Sequence, residues 1–223
     1  MITHPLFKRL YPCFLLVLLP FASLAFAEEE FKPEERYKHY SEADVSTGDK
    51  ALNFGLVYTA QWISYAATQS EIIEDHGSFK NWRENIFKPH FDKDHLNYNL
   101  SKHTLVGQYY YLFYRARGYG KQSAFQWAFL SSLAFEFTIE SLTERPSYQD
   151  MYQTPVLGSI VGMGAEKLSL YLHSLQTTPT TILGYLFNPM TLLPKNYSHY
   201  RIAWVPMRNQ NHAGLGLQMG VAL

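Results

Sequence analysis

Apolar positions along the chain follow three patterns, and each predicts a different kind of element. The first is a short continuous run, Phe14 to Phe21, behind the positive Lys8 and Arg9 and ahead of the triplet Ala25-Phe26-Ala27. That succession is the form of a secretory signal peptide cut before Glu28, and the run is too short for a spanning helix. A polar, acidic lead-in follows to Asp49. The second pattern is helical. Ala51 to Ser70 holds no charged residue, yet Asn53, Thr59, Gln61, Ser64, Thr68 and Gln69 make a membrane span costly. A buried helix beginning near Asp49 is expected there. Glu71 to Asn99, rich in His, Lys and Asp, reads as a charged connecting loop.

A second helix is expected over 101–117, with Ser101 as N-cap, Arg115 and Arg117 at the negative end of the helix dipole, and Gly118 as the stop. A third, over 123–143, is apolar nearly all round and belongs at the centre of a bundle. Ser132 sits in its middle, and Arg145-Pro146-Ser147 ends it. Ser147 to Asp150 has the form of a capping-box variant opening a short helical turn. Thr154 as N-cap and Pro155 at the first position then open a fourth helix to about Leu175. Its Gly158 and Gly162 lie four apart and offer a smooth stripe to a neighbouring helix. Thr178-Pro179 and Asn188-Pro189 bracket a fifth, short piece.

The third pattern has period two. Tyr200, Ile202 and Trp204 alternate with other residues, and Leu215, Leu217, Met219, Val221 and Leu223 alternate with small or polar ones. This predicts a C-terminal hairpin. The last strand is long enough to resemble a membrane strand, but two strands cannot close a barrel. The hairpin therefore packs on the helices or pairs with a partner, and packing is the expectation. The expected fold class is mainly α, a bundle of four to five helices with a small C-terminal β-hairpin. Its parts are a signal peptide (1–27), a polar lead-in (28–49), a helical domain (50–195) and the hairpin (196–223).

Composition narrows the function. Lysines plus arginines and acids number 19 each, so the net charge is zero, and nothing suggests a nucleic-acid partner. With 47% hydrophobic and 17% charged residues the chain is not of disordered composition. The 16% of aromatics suits a dense core or a membrane–water interface. The single cysteine, Cys13, lies inside the signal, so the remaining chain has no thiol for a disulfide, a zinc site or a nucleophile. Gly-x-Ser-x-Gly, His-Glu-x-x-His and Walker motifs are missing, and no cofactor or metal is assigned from the sequence.

Glu136 and Glu140 are the sharpest polar feature. They share a helix face in a segment that looks buried, Glu136 standing between Phe135 and Phe137. Two like charges there need a proton, a cation or a basic partner, and His103, Arg115, Arg117 and Arg145 are the nearby candidates. One reading is a buried network that fixes helix register. The other is a site built from His103, Glu136, Glu140 and Asp150 or Glu166. Di-iron bundles use Glu-x-x-His pairs, which this chain lacks. His76, His90 and His95, beside Asp75, Asp92 and Asp94, show no tight ligand spacing. His173 reads as a dipole-complementing residue at a helix end.

The stretch Ser131-Ser132-Leu-Ala-Phe-Glu136-Phe-Thr-Ile-Glu140, then Glu144-Arg-Pro146-Ser147-Tyr-Gln-Asp150 and Thr154-Pro155-Val-Leu-Gly158, resembles the core signature of domain of unknown function 3943. The run His103 to Gly107 with Gln108-Tyr-Tyr-Tyr is similar to its upstream part, and the resemblance covers roughly 95–195. It implies an exported envelope protein of a Gram-negative bacterium and no particular reaction. The expected function is accordingly a non-enzymatic cell-envelope protein, periplasmic or attached to the outer membrane, with an envelope protein or the membrane as partner. The alternative is an enzyme or metal-binding protein using His103, Glu136, Glu140 and Asp150.

Overall fold

A computed structural model describes residues 45–91, 93 and 95–193, side chains 96 and 98 excepted, and the backbone of 200–209 and 212–221. The expected signal peptide and the lead-in up to residue 44 lie outside the described residues. Helix α1 (Thr47–Thr68) opens where Ser46 Oγ accepts the Asp49 N–H at 3.1 Å, which satisfies one of the free donors of the first turn. Its buried residues, Asn53, Val57, Gln61 and Tyr65, recur every four positions along one face. The expected loop over 71–99 is instead largely helical. It holds α2 (Ser70–His76) and α3 (Phe79–Asn85), the latter capped by Ser78 Oγ on Asn81 N–H at 3.0 Å. Both are short and buries no residue, so they leave no apolar period to read.

Helix α4 (Leu96–Ala116) starts earlier than expected. Ser101 is inside it, its hydroxyl donating to the Asn97 carbonyl at 2.7 Å, and His95 holds the cap position. Gly118, at φ 92°, provides the left-handed stop. Helix α5 (Lys121–Ala134) does not continue as one α-helix to 143. It widens into a π turn at Phe135–Ile139 and tightens into a 3-10 turn at Glu140–Leu142.

The next path also departs from expectation. Ser147 caps α6 (Tyr148–Tyr152), a second π turn follows at Gln153–Leu157, and α7 (Gly158–Ser174) continues from it. Thr154-Pro155 is therefore the interior of a helical path, not its start. Proline lacks an N–H and its ring crowds the carbonyl four residues back. The widened turn accommodates both effects. Helix α8 (Thr178–Phe187) opens with a reciprocal Thr177–Thr180 capping box, and a 3-10 turn at Pro189–Leu192 follows.

The central helix is α4, not α5 with the glutamate-bearing turns that follow it. Tyr111, Leu112 and Tyr114 of α4 are fully buried, and α5, α7 and the second π turn pack around it. The closest approach is backbone to backbone. A Cβ on Gly107 would fall 1.6 Å from the Thr154 carbonyl oxygen, and one on Gly158 would fall 2.5 Å from Gly107. Gly162 leaves room for the Tyr111 ring. Helix α5 turns its small residues inward (Ser123, Ala124, Ala128, Ser131 and Ser132) and exposes Phe129 and Leu130 by 39% and 45%. Polar bonds join it and the two turns after it to α1: Tyr58 to Thr138 at 2.8 Å, Gln61 to the Ser131 carbonyl at 2.9 Å, and Tyr65 to Thr143 at 2.5 Å.

Among the described residues the distribution is inverted. Buried polar and charged residues outnumber buried hydrophobic ones, while large apolar side chains lie outside on α1, α5, α7 and α8. The protein is thus mainly α-helical. The expected C-terminal hairpin falls on the segments β1 (Tyr200–Asn209) and β2 (His212–Val221) and is not part of the fold that the helical residues establish. Their side chains lie outside the described residues, and the expected packing of this segment on the helices is no part of the fold described.

Candidate functional site

Four helical segments converge on one buried polar cluster. Helix α4 supplies His103, the first π turn supplies Glu136, α6 supplies Asp150 and the second π turn supplies Thr154. His103 Nδ1 lies 2.9 Å from Thr154 Oγ1, and its Nε2 lies 3.4 Å from Asp150 Oδ1. Glu136 Oε2 accepts the Ser147 backbone N–H at 3.0 Å. Ser147 Oγ in turn accepts the Asp150 N–H at 3.3 Å. One residue thus caps α6 and holds the glutamate. One potential ligand atom each from His103, Glu136 and Asp150 lies within 4.8 Å of the other two.

Glu140 follows Glu136 into the interior, and the two carboxyl groups act on one another. Burial pushes Glu136 up from the ordinary carboxyl range to about 7, against the lowering effect of the Ser147 N–H and the Glu140 contact. Burial, and then the neighbouring Glu136, hold Glu140 well above that range too. Lys102 lowers both. A carboxyl group that titrates near neutrality can both give and take a proton.

The π turn loosens carbonyls that an α-helix would satisfy, and neighbours take them up. Ser141 Oγ donates to the Glu136 carbonyl at 2.5 Å. Trp82 Nε1 donates to Phe137 O at 3.0 Å, and Asn85 Nδ2 to Ser141 O at 3.1 Å, both from α3. The connector after α3 is fastened as well, His90 N–H donating to Pro146 O at 3.0 Å and Tyr148 N–H to His90 O at 2.9 Å. The region that looked like a solvated loop therefore braces the site.

The arginines do not compensate the glutamates as expected. Arg115 is committed to Glu166, with Nε at 2.9 and 3.1 Å from the two carboxylate oxygens and Nη2 at 2.7 Å, and its Nη1 donates to Tyr119 O at 2.5 Å. Glu166 is therefore in a separate pair, not in the His103 cluster. Arg117 Nε donates to Asn53 Oδ1 at 3.1 Å, and Arg145 is exposed. His173 does lie in the last turn of α7, as expected, but in the interior. It is 2% exposed, edge-on to the Tyr185 ring at 4.7 Å, over Gly184. Of the other motif residues, Ser132, Pro146 and Pro155 are buried in the helical body. No loop histidine joins the cluster among the described residues. Sequence reasoning missed the two π turns, for which Pro155 inside an unbroken helical pattern is the available signal.

Residues 88–190 match the model of a family described as Domain of unknown function (DUF3943). All of the cluster residues fall inside that match. No curated protein and no solved structure matches the chain.

Proposed function

We propose that the chain is an exported cell-envelope protein that performs no reaction of its own and seats its helical body on a membrane through apolar outer faces. The observation that carries this reading is the inverted distribution of side chains. Leu52 and Ile63 on α1, Phe129 and Leu130 on α5, Ile160 on α7 and Leu186 on α8 are exposed, while Asn53, Gln61, Arg115, Glu136 and Glu166 are buried. In water such an exterior forfeits the burial of large apolar area, and contiguous patches of this kind mark interaction surfaces. Against acyl chains it costs nothing, and polar groups are then best placed inside, bonded to one another. The charges agree. Residues 51–70, 122–135 and 168–193 carry no Asp, Glu, Lys or Arg, whereas 71–95 are dense in them. No described helix is long and apolar enough to cross a membrane, and the proposed contact is a seat on one leaflet.

The expected signal peptide supplies the export route in this reading, and the alternating segment 196–223 supplies a second attachment. Fractionation of cells expressing the tagged full chain tests it. Retention on membranes through a high-salt wash is expected, with release of a Phe129→Lys, Ile160→Lys, Leu186→Lys triple variant that keeps its helical circular dichroism. Deletion of 208–223 is expected to weaken retention. Recovery of the unaltered chain in the soluble fraction sinks the reading.

A further inference from the structure

We propose that His103 Nε2, Glu136 and Asp150 form a binding site for one divalent transition-metal cation, of the Zn²⁺ class. The first argument is convergence. Three donors from three separate helical segments place one ligand atom each within 4.8 Å of the others. Tetrahedral ligands at the ~2.0–2.2 Å of zinc–imidazole and zinc–carboxylate bonds stand roughly 3.4 Å apart. His103 Nε2 and Asp150 Oδ1 already have that separation, 3.4 Å, and side-chain shifts of up to about 1 Å bring in Glu136.

The second argument is orientation. A metal-ligating histidine characteristically donates its other ring N–H to a neighbour, which fixes the tautomer and the ring plane. His103 Nδ1 has Thr154 Oγ1 at 2.9 Å, so donation there presents the Nε2 lone pair to the side of the ring where Asp150 Oδ1 stands at 3.4 Å. Glu136 is steadied likewise, by the Ser147 N–H at 3.0 Å. The two supports stand at the start of α6 and in the widened turn that follows it, so one short stretch of chain steadies both ligands.

The third argument is charge. Two ionised carboxylates and a neutral imidazole carry a charge of minus two, which a dication cancels. Among the described residues Arg115 binds Glu166 and Arg117 binds Asn53, and Lys102, which acts on both glutamates, brings one positive charge against two. One nitrogen with carboxylate oxygens, and no thiol, is a donor set for zinc, manganese or iron in place of soft copper(I). Glu140 lies beside Glu136 and raises the local negative charge further. The site does not depend on membrane seating, and either proposal can fail alone.

Titration calorimetry of the full chain, purified without a histidine tag and stripped with chelator, tests the site with ZnCl₂ and then MnCl₂. One equivalent of Zn²⁺ is expected. Asp150→Asn and His103→Ala are expected to weaken it by more than about 100-fold, and Thr154→Val by about 10-fold. His76→Gln with His95→Gln is expected to leave it unchanged. Circular dichroism establishes that each variant is folded, and Asp150→Asn, nearly isosteric, carries the test if His103→Ala does not fold. Absence of one-equivalent binding by the folded wild type overturns the proposal. So does binding that survives in folded Asp150→Asn and Thr154→Val, or that disappears with His76 and His95.

Discussion

Helix α4 carries two buried charged sites, and they are built on opposite plans. At its C-terminal end Arg115 meets Glu166 through a planar fork, with three N–O distances of 2.7–3.1 Å, and a further N–H goes to the Tyr119 carbonyl. Charge and donors are matched within the chain, so the site is closed. Nearer its N-terminal end His103 stands with Glu136 and Asp150, with Glu140 behind Glu136. There carboxyl groups outnumber cations and the carboxyl pair is held up in pKa by burial. The comparison separates two uses of buried charge. A matched pair fixes how helices meet, whereas an unmatched cluster retains affinity for a proton or a cation.

The largest effect should come from unmatching the matched site. Arg115→Met leaves the Glu166 carboxylate buried without its fork, and urea unfolding should show a loss of about 3–5 kcal/mol. Replacing both, as Arg115→Met with Glu166→Leu, should recover most of that loss. If the double variant is no better than the single one, the pair is not the unit it appears in the structure. Next comes the glycine contact that sets the distance between α4 and the second π turn. A Cβ at Gly107 meets the Thr154 carbonyl at 1.6 Å, so Gly107→Ala must push the backbones apart, at about 3 kcal/mol, the upper end for overpacking. That shift should also move Thr154 from His103, so the same variant is expected to lose the metal affinity proposed above.

The unmatched cluster predicts a pH dependence of defined sign. In chelator, the folded chain holds the Glu136 proton up to about 7, while the unfolded chain releases it near 4.5. Between those values the folded state binds more protons, so stability falls as pH rises; Glu136 contributes about 1.4 kcal/mol per unit at most, on the order of 3 kcal/mol across the window, and Glu140 adds to it with the same sign. Below the unfolded value the contribution is fully present, and above 7 it is gone. Denaturation series at pH 5 and pH 8 should show this slope, and Glu136→Gln should flatten it. A slope that persists undiminished in Glu136→Gln belongs to other groups.

What the sequence could reveal about these two sites follows from the range of the forces that build them. Local signals were legible. The Gly118 stop, the Ser147 cap and the opening of α8 at Thr178-Pro179 each depend on residues within one turn, and Glu136 with Glu140 stood out because four residues bring them onto one face. The Arg115–Glu166 pair was not legible, because its partners are 51 positions apart and only tertiary packing joins them. Thr154-Pro155 misled for a different reason. Its local pattern suits a helix start, and only the cap at Ser147 and the tolerance of a π turn make it an interior step. Helix α5 misled through composition. Its apolar residues suggested a central position, but small residues and Trp127 pack inward while Phe129 and Leu130 look outward.

The smallest expected effect is also the one that most directly reads the plan of the unmatched cluster. Thr154→Val keeps the volume of the side chain and removes the oxygen 2.9 Å from His103 Nδ1. A buried ring nitrogen then loses its bond, at about 1 kcal/mol in urea unfolding. The informative readout is the ¹⁵N shift pair of the His103 ring. In the unaltered chain, with Thr154 accepting from Nδ1–H, the pattern should be that of the tautomer protonated at Nδ1, with Nε2 bare toward Asp150 and Glu136. In Thr154→Val the proton is free to move to Nε2, where two carboxyl groups can accept it, and the pattern should shift accordingly. If the tautomer is the same in both chains, Thr154 does not orient the ring, and the contrast with the self-contained Arg115 site loses its structural basis at that atom.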